Sequence, residues 1–185
     1  MKDRLLGLTI GIGLLFAPWI PTSIQADIFL EIPEIRGESK ASDFEGTIEV
    51  HSWSWEMNKT VEIGSSSGGG GSTSKATIGA LRISKYLDAS TAPLLVKAVG
   101  APAIPVVTLR VVSTTGGDVG YINYLNIRLE NVYVTSYQVS GDRDGRPAED
   151  LEFKFQRINL DYYQIKNDGT QGTKHTFQYD LSTGV

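Results

Sequence analysis

Two histidines, His51 and His175, are the side chains of this 185-residue chain best suited to exchange protons near neutral pH. Histidine also binds zinc, usually together with cysteine or carboxylate ligands. The chain has no cysteine, and the two histidines lie far apart in sequence without a tight carboxylate cluster beside them. His51 falls in an alternating segment on the same face as Trp53, which favours a packed or interface histidine over a ligand. We therefore predict neither a metal site nor a cofactor.

Two further stretches superficially match binding loops. The run Gly68–Gly71 is glycine-rich, but it lacks the Gly-Lys-Ser/Thr ending and the following helix of a phosphate-binding loop. The segment 142–146 (Asp-Arg-Asp-Gly-Arg) begins like a calcium loop but lacks the later ligands and the closing glutamate. A charged turn fits it better, with a weak surface calcium site left open. Because no acid/base pair or nucleophile–base set is visible, the sequence predicts that the protein is not an enzyme.

The charge balance argues against nucleic-acid binding. The net charge is -4 and the pI is about 5.2. Binding to a phosphate backbone requires a basic face, and no cluster of lysine and arginine interleaved with aromatic residues occurs. The length is sufficient for one domain with a substantial core.

Residues 1–26 have the three parts of a secretory signal peptide. Lys2 and Arg4 form a basic head, an apolar run covers 5–17, and prolines precede a small residue, Ala26, as the expected last residue removed. The apolar run is shorter than the roughly 20 residues of a membrane-spanning helix, so a retained anchor is the less favoured alternative. We expect a secreted or periplasmic protein that touches a membrane only through this segment, or cytoplasmic assembly followed by secretion if the segment is not a working signal.

The rest of the chain, 27–185, is predicted to form one mainly β domain. Alternating apolar and polar residues predict strands that are separated by closely spaced turns. These strands cover 27–32, 46–55, 81–83, 106–112, 121–129, 133–140, 151–155 and 158–160, with a last edge strand at 176–180. Glu130 and Asn131 shift the phase of alternation, which indicates a bulge or a tight turn. About eight short strands favour a β-barrel or a sandwich.

One short helix is predicted over 88–100. Asp88 or Ser90 could cap its N-terminus, and Pro93 occupies the first turn, where the missing N–H is tolerated. Gly100 supplies the stop. Its apolar stripe predicts that the helix lies against the sheet or the barrel mouth; the stripe consists of Leu94, Leu95, Ala98 and Val99.

The segment at about 56–79, which we call the arm, is unusual for a compact domain. Its centre is almost entirely glycine and serine and has few apolar side chains to offset the entropy of ordering. A long loop of this kind is either functional or disordered. We interpret the arm as a surface protrusion that becomes ordered against a neighbouring subunit.

Several segments in this order resemble the haemolysin-coregulated protein (Hcp) family, the tube-forming protein of type VI secretion systems. The resembling segments are 26–32, 35–39, 46–55, 88–100, 129–134 and 152–158. The resemblance implies a β-barrel of two packed antiparallel sheets with one short flanking α-helix. It also implies that six copies close into a ring, that rings stack into a hollow tube, and that the arm reaches the adjacent ring. Small effector proteins in the lumen and other components of the secretion apparatus are the implied partners.

Two functions of different classes follow. The first is a structural subunit of such rings. Family members that feed the secretion tube normally lack a leader, so the leader here suggests an exported variant that polymerises outside the cytoplasm. Its expected subunit contacts are Trp53, Trp55, Val61, Glu62, Ile63, Gly68, Gly69, Gly70 and Gly71. The alternative is a secreted β-sandwich module that binds a glycan or a protein through exposed aromatics, namely Tyr121, Tyr124, Tyr162 and Tyr163.

Overall fold

The computed structural model describes residues 26–62, 72–73, 75–100, 102–114, 120–143, 145–166 and 168–184. All of its strand pairings are antiparallel. In chain order the elements are β1 (Ala26–Glu31), β2 (Ile48–Glu49), β3 (Ser52–Ser54), β4 (Met57–Asn58), β5 (Val61–Glu62), β6 (Ser72–Thr73), β7 (Thr77–Ile78), β8 (Leu81–Tyr86), α1 (Thr91–Ala98), β9 (Ile104–Thr114), β10 (Tyr121–Ser140), β11 (Ala148–Lys154), β12 (Arg157–Ile165) and β13 (Gln171–Asp180).

The long strand β10 belongs to both sheets of the domain. Its first half pairs with β9 and β12, and its second half pairs with β11. Asn131 lies at the change of partners with a φ of 54°, in the left-handed region, and a register shift follows between Val134 and Ser136. The predicted irregularity at Glu130 and Asn131 is confirmed, but it lies within one continuous 20-residue strand.

The two sheets are joined a second time at residues 48–54. β2 pairs with β1 in the first sheet, whose order is β2-β1-β9-β10-β12-β13. β3 pairs with β8 in the second sheet, β10-β11-β8-β3. The switch falls between two adjacent residues, because Val50 N donates to Ile28 O at 2.9 Å while His51 N donates to Ser84 O at 2.8 Å. With β10 joining the sheets on the other side, the strand order closes on itself as a barrel.

The core fills the space between the sheets, and the alternation predicted it well. Val107, Leu109 and Val111 are buried, as are Leu151 and Phe153. In the other strands too, the side chains that point into the barrel are buried. They include Leu30, Ile48, Leu81, Ile83, Ile127, Leu129 and Val132. The predicted fold class is therefore confirmed.

Helix α1 is shorter than predicted and buries less. It begins at Thr91 and ends at Ala98, and Leu94 is its one fully buried side chain. Val99, which was expected on the apolar stripe, is 83% exposed because it follows the last helical turn. Ser90 occupies the N-cap position without a side-chain capping bond, and instead Asp88 Oδ1 accepts from Ser90 N at 2.9 Å.

A buried ion network holds the start of α1 on the second sheet. The ammonium of Lys85 on β8 contacts the carboxylates of Asp88 and Glu149. Thr91 Oγ1, at the first turn of α1, donates to Glu149 Oε1 at 3.1 Å. Burial, followed by the hydrogen bond to Glu149, raises the pKa of Tyr137 to about 12.

Candidate assembly surface

The arm is an outward continuation of the hairpin formed by β3 and β8. Its strand β4 pairs with β7, so that Asn58 lies opposite Thr77. Farther along, β5 pairs with β6, with Val61 opposite Thr73 and Glu62 opposite Ser72. Both ladders are antiparallel, and the register shifts by one residue between them, because two residues separate Asn58 from Val61 and three separate Thr73 from Thr77. The predicted contact residues Ile63 and Gly68–Gly71 lie outside the described residues.

Two apolar side chains of the arm are exposed. Met57 and Val61 each keep 52% of their surface accessible, and Asn58, Lys59 and Thr60 between them are exposed as well. Met57, Asn58 and Val61 lie outside the buried core cluster. The described arm strands therefore offer apolar surface that their own barrel does not cover.

The two predicted tryptophans lie at the base of the arm, where they contact the domain. Trp53 and Trp55 are half-buried and pack against the core. The ring of Trp55 lies 6.1 Å from that of Phe177 on β13, which stacks on Tyr179 at 6.5 Å. Within the described chain, Trp55 Nε1 is buried without a hydrogen-bond partner. The tryptophans thus anchor the arm to the barrel, whereas Val61 lies beyond this anchor.

Strand β13 is the long outer edge of the first sheet. In the part of the chain that the structure describes, it pairs with β12 alone. Its residues 173–178 are all exposed. A free edge of this length presents unpaired backbone groups, which native proteins usually protect or use for pairing. Sequence reasoning recognised only 176–180, because the alternation of large apolar residues starts there.

Charged pairs fix β13 against the domain. Arg157 Nε donates to Asp180 Oδ2 at 2.5 Å, and hydrogen bonds from Ser182, followed by those from Arg157, lower the pKa of Asp180. Burial acts to raise the pKa of Asp161, but hydrogen bonds from Lys174 and Thr176 outweigh it, and the net shift is downward. Both carboxylates therefore already have hydrogen-bond and charge partners within the chain.

The face of the second sheet beside the arm is polar and shallow. A groove of about 390 Å³ crosses β3, β8, β11 and β10. Serines line much of it, at Ser52, Ser54, Ser84 and Ser136. One ion pair spans it, since Arg82 Nε donates to Glu152 Oε1 at 2.7 Å. Neither histidine borders this groove.

The residues considered for chemistry do not come together. His51 is exposed and lies edge-on to Tyr86, with ring centroids 3.8 Å apart, whereas His175 stacks with Tyr162 on the β12–β13 pair. Among the described residues, no group of three histidine, cysteine or acidic side chains could hold a metal ion. No helix in those ranges is long and apolar enough to cross a bilayer.

The four tyrosines of the alternative binding module do not form a common platform. Tyr121 lies edge-on to Phe29 and Phe44, with centroids 5.9 Å and 5.5 Å away. Tyr124 packs against the core, and burial, together with the nearby Tyr162, raises its pKa. Of the four, only Tyr162 is exposed, at 43%.

Comparisons with known proteins decide the family. Residues 29–162 match the sequence model of a family described as "Type VI secretion system effector, Hcp". Protein hcp1 of Pseudomonas aeruginosa is 31% identical over 149 residues, which cover 80% of this chain and 90% of that protein. The chain belongs to the Hcp family.

Solved Hcp structures share its architecture. A structure described as a type six secretion system protein has a TM-score of 0.79 at 26% identity, covering 87% of this chain and 99% of that one. Hcp1 from Salmonella typhimurium has a TM-score of 0.67 at 24% identity, covering 85% and 96%. The resemblance seen in the sequence is confirmed, and the family match includes the whole arm but ends before β13 begins.

Proposed function

We propose that this Hcp chain is a structural subunit that assembles into hexameric rings, which stack into a hollow tube. The observation that carries the proposal is the arm, whose half-exposed Met57 and Val61 extend past the barrel. Exposed apolar surface of this kind is stabilised when another molecule covers it. The molecule that covers this surface is a second copy of the chain. Membership of the Hcp family supports this assignment.

Ring closure requires two different complementary faces on each subunit. The arm supplies a separate contact, to the adjacent ring, through Val61, Glu62, Ile63 and the glycines Gly68–Gly71, with Trp53 and Trp55 at its base. The partners are other copies of the chain, small effector proteins in the lumen and further components of the secretion apparatus. The role is assembly, with no covalent chemistry.

We also propose that the subunit is exported before it polymerises. Cleavage after Ala26 would leave β1 nearly whole, since that strand runs from Ala26 to Glu31 and pairs with β9 along its length. The barrel would therefore keep its first strand after the leader is removed. Assembly then takes place in the periplasm or outside the cell.

Electron microscopy of the purified protein tests the assembly. Negative-stain images are expected to show rings or tubes, and sedimentation velocity is expected to show species that grow with concentration. A single monomer peak at the highest attainable concentration, with no rings on the grid, would contradict the proposal. Mass spectrometry of the N-terminus in each cell fraction tests export: Asp27 as first residue outside the cytoplasm supports it, and intact Met1 in the cytosol opposes it.

A further inference from the structure

Five residues at the base of the arm form a pattern that ring assembly does not explain. In Glu56-Met57-Asn58-Lys59-Thr60, an acidic side chain lies two residues before an asparagine and a hydroxyl lies two residues after it. Asn-x-Ser/Thr, with x other than proline, is the acceptor pattern for N-linked glycosylation of surface loops in exported proteins. None of the other five asparagines of the chain is followed by serine or threonine at the second position.

Glu56 and Asn58 lie on the same side of the arm. Successive side chains of a strand point to opposite faces, so Glu56, whose carbonyl accepts from Gly79 N, shares a face with Asn58, and Thr60 follows two residues after Asn58. Asn58 and Thr60 are exposed, and the Glu56 side chain is 55% exposed. An enzyme approaching this segment would meet the carboxylate and the amide on one face, with the hydroxyl two residues farther along the chain.

The acceptor also lies where the backbone can open at low cost. In the part of the chain that the structure describes, β4 is two residues long and pairs through Met57 with Ile78 and through Asn58 with Thr77. One further backbone bond, from Gly79 N to Glu56 O at 2.9 Å, closes the base of the hairpin. Segments with few buried contacts and a short, exposed ladder unfold locally far below the free energy of global unfolding. A transferase that needs the acceptor in a turn can therefore bind it in the folded protein.

We propose that Asn58 is an N-glycan acceptor. The donor is a lipid-linked oligosaccharide, and the catalyst is a membrane oligosaccharyltransferase of the extracytoplasmic side. Asn58 Nδ2 bonds to the anomeric carbon of the first sugar, and the bond from that carbon to the lipid diphosphate breaks. The diphosphate leaves with the bonding electron pair, and Nδ2 loses one proton to the enzyme's base. The Glu56 carboxylate pairs with a cationic side chain of the transferase, and Thr60 supplies its hydroxyl as a hydrogen-bonding group.

The inference rests on the exported form of the proposed function, because the donor and the enzyme face away from the cytoplasm. The test therefore uses two versions of the full chain, one with its own residues 1–26 and one with a foreign secretory leader in their place. Both are produced in a bacterial host that carries an oligosaccharyltransferase and a lipid-linked oligosaccharide. A known acceptor protein in the same cells establishes that transfer occurs. Intact mass and the mass of the peptide containing Asn58 are measured in the periplasmic fraction.

Matched variants separate the acceptor from its surroundings. Glycan on Asn58 is expected in the wild type and in Thr60→Ser, which keeps the hydroxyl. It is expected to be absent in Asn58→Gln and Thr60→Val and strongly reduced in Glu56→Gln. Arg82→Gln breaks the 3.5 Å pair between Arg82 and Glu56 but keeps the carboxylate, so its occupancy should equal that of the wild type.

The outcomes distinguish the two proposals. Modification with both leaders supports the acceptor site and export. Modification with the foreign leader alone supports the site and contradicts export. An unmodified Asn58 peptide in a chain processed behind the foreign leader overturns the acceptor site, as does a glycan that persists in Asn58→Gln.

Discussion

The Lys85 ammonium contacts the Glu149 carboxylate in the interior of the domain, and both side chains are completely shielded from solvent. Lys85 Nζ also donates to Asp88 Oδ1 and to Tyr86 O, each at 2.8 Å. The other carboxylate oxygen, Glu149 Oε2, accepts from Tyr137 at 2.7 Å. One buried network thus connects β8, β10, β11 and the start of α1.

Removing the cation from this network should destabilise the fold strongly. Lys85→Met leaves the buried charge of Glu149 without its partner, which costs about 3–5 kcal/mol. The double variant Lys85→Met/Glu149→Gln removes the unpaired charge and should recover part of this loss. Urea unfolding measures both. The control is Arg128→Gln, whose pair with Glu130 is exposed and whose loss should cost about 1 kcal/mol or less. Equal costs for Lys85→Met and Arg128→Gln would contradict the assigned role.

The Tyr137 phenol should make stability fall at alkaline pH. Its pKa is raised from 10.0 to about 12 in the folded chain, so the folded state holds the proton more tightly than the unfolded state. The resulting stabilisation is complete below about pH 10 and is lost as the pH rises through about 12. The difference in unfolding free energy between the wild type and Tyr137→Phe should therefore shrink across this window. A difference that is constant from pH 9 to pH 12 would exclude this linkage.

The left-handed conformation of Asn131 in β10 predicts that a glycine variant is more stable than an alanine variant. Asn131 has a φ of 54° and donates from Nδ2 to Gln156 Oε1 at 2.9 Å. Asn131→Ala and Asn131→Gly lose the same side-chain bond, but only alanine places a Cβ in the strained conformation, at a cost of about 1 kcal/mol or more. Glycine should therefore be the more stable of the two by that amount in thermal or urea unfolding. Alanine equal to or more stable than glycine would mean that the strand relaxes out of this conformation.

The sequence predicts what depends on local pattern. Alternation identifies the inward residues of β9, such as Val107 and Leu109, because each strand has one covered face. The interrupted alternation at Glu130 and Asn131 likewise marks the left-handed residue at which β10 changes partners. The glycine and serine content of the arm indicates a surface segment without reference to any partner.

The sequence does not reveal features that depend on distant contacts. The change of sheet between Val50 and His51 is set by which strands lie alongside, and both residues continue the same alternation. Lys85 and Glu149 are charged residues that pattern reasoning places at the surface, yet each is buried because the other neutralises it. Val99 continues the apolar spacing of α1 but lies past the end of the helix.

The arm provides the most direct test of assembly. Val61→Asp puts a carboxylate on a side chain that is 52% exposed in the isolated subunit, so folding should be nearly unchanged. In a covered contact, an unpaired carboxylate costs several kcal/mol. Self-association should weaken by about 100-fold or more, since about 1.4 kcal/mol corresponds to a factor of ten. Sedimentation velocity over a concentration series, with unfolding curves on the same samples, measures both quantities.

The matched control is Val96→Asp on α1, where the valine is 62% exposed and lies outside the arm. A general effect of added surface charge would weaken self-association equally in the two variants. A contact made by the arm would weaken it in Val61→Asp alone. Stacked tubes that persist in Val61→Asp at wild-type concentrations would show that the arm strand is not covered in the assembly, and the contact would then have to be sought along the free edge of β13.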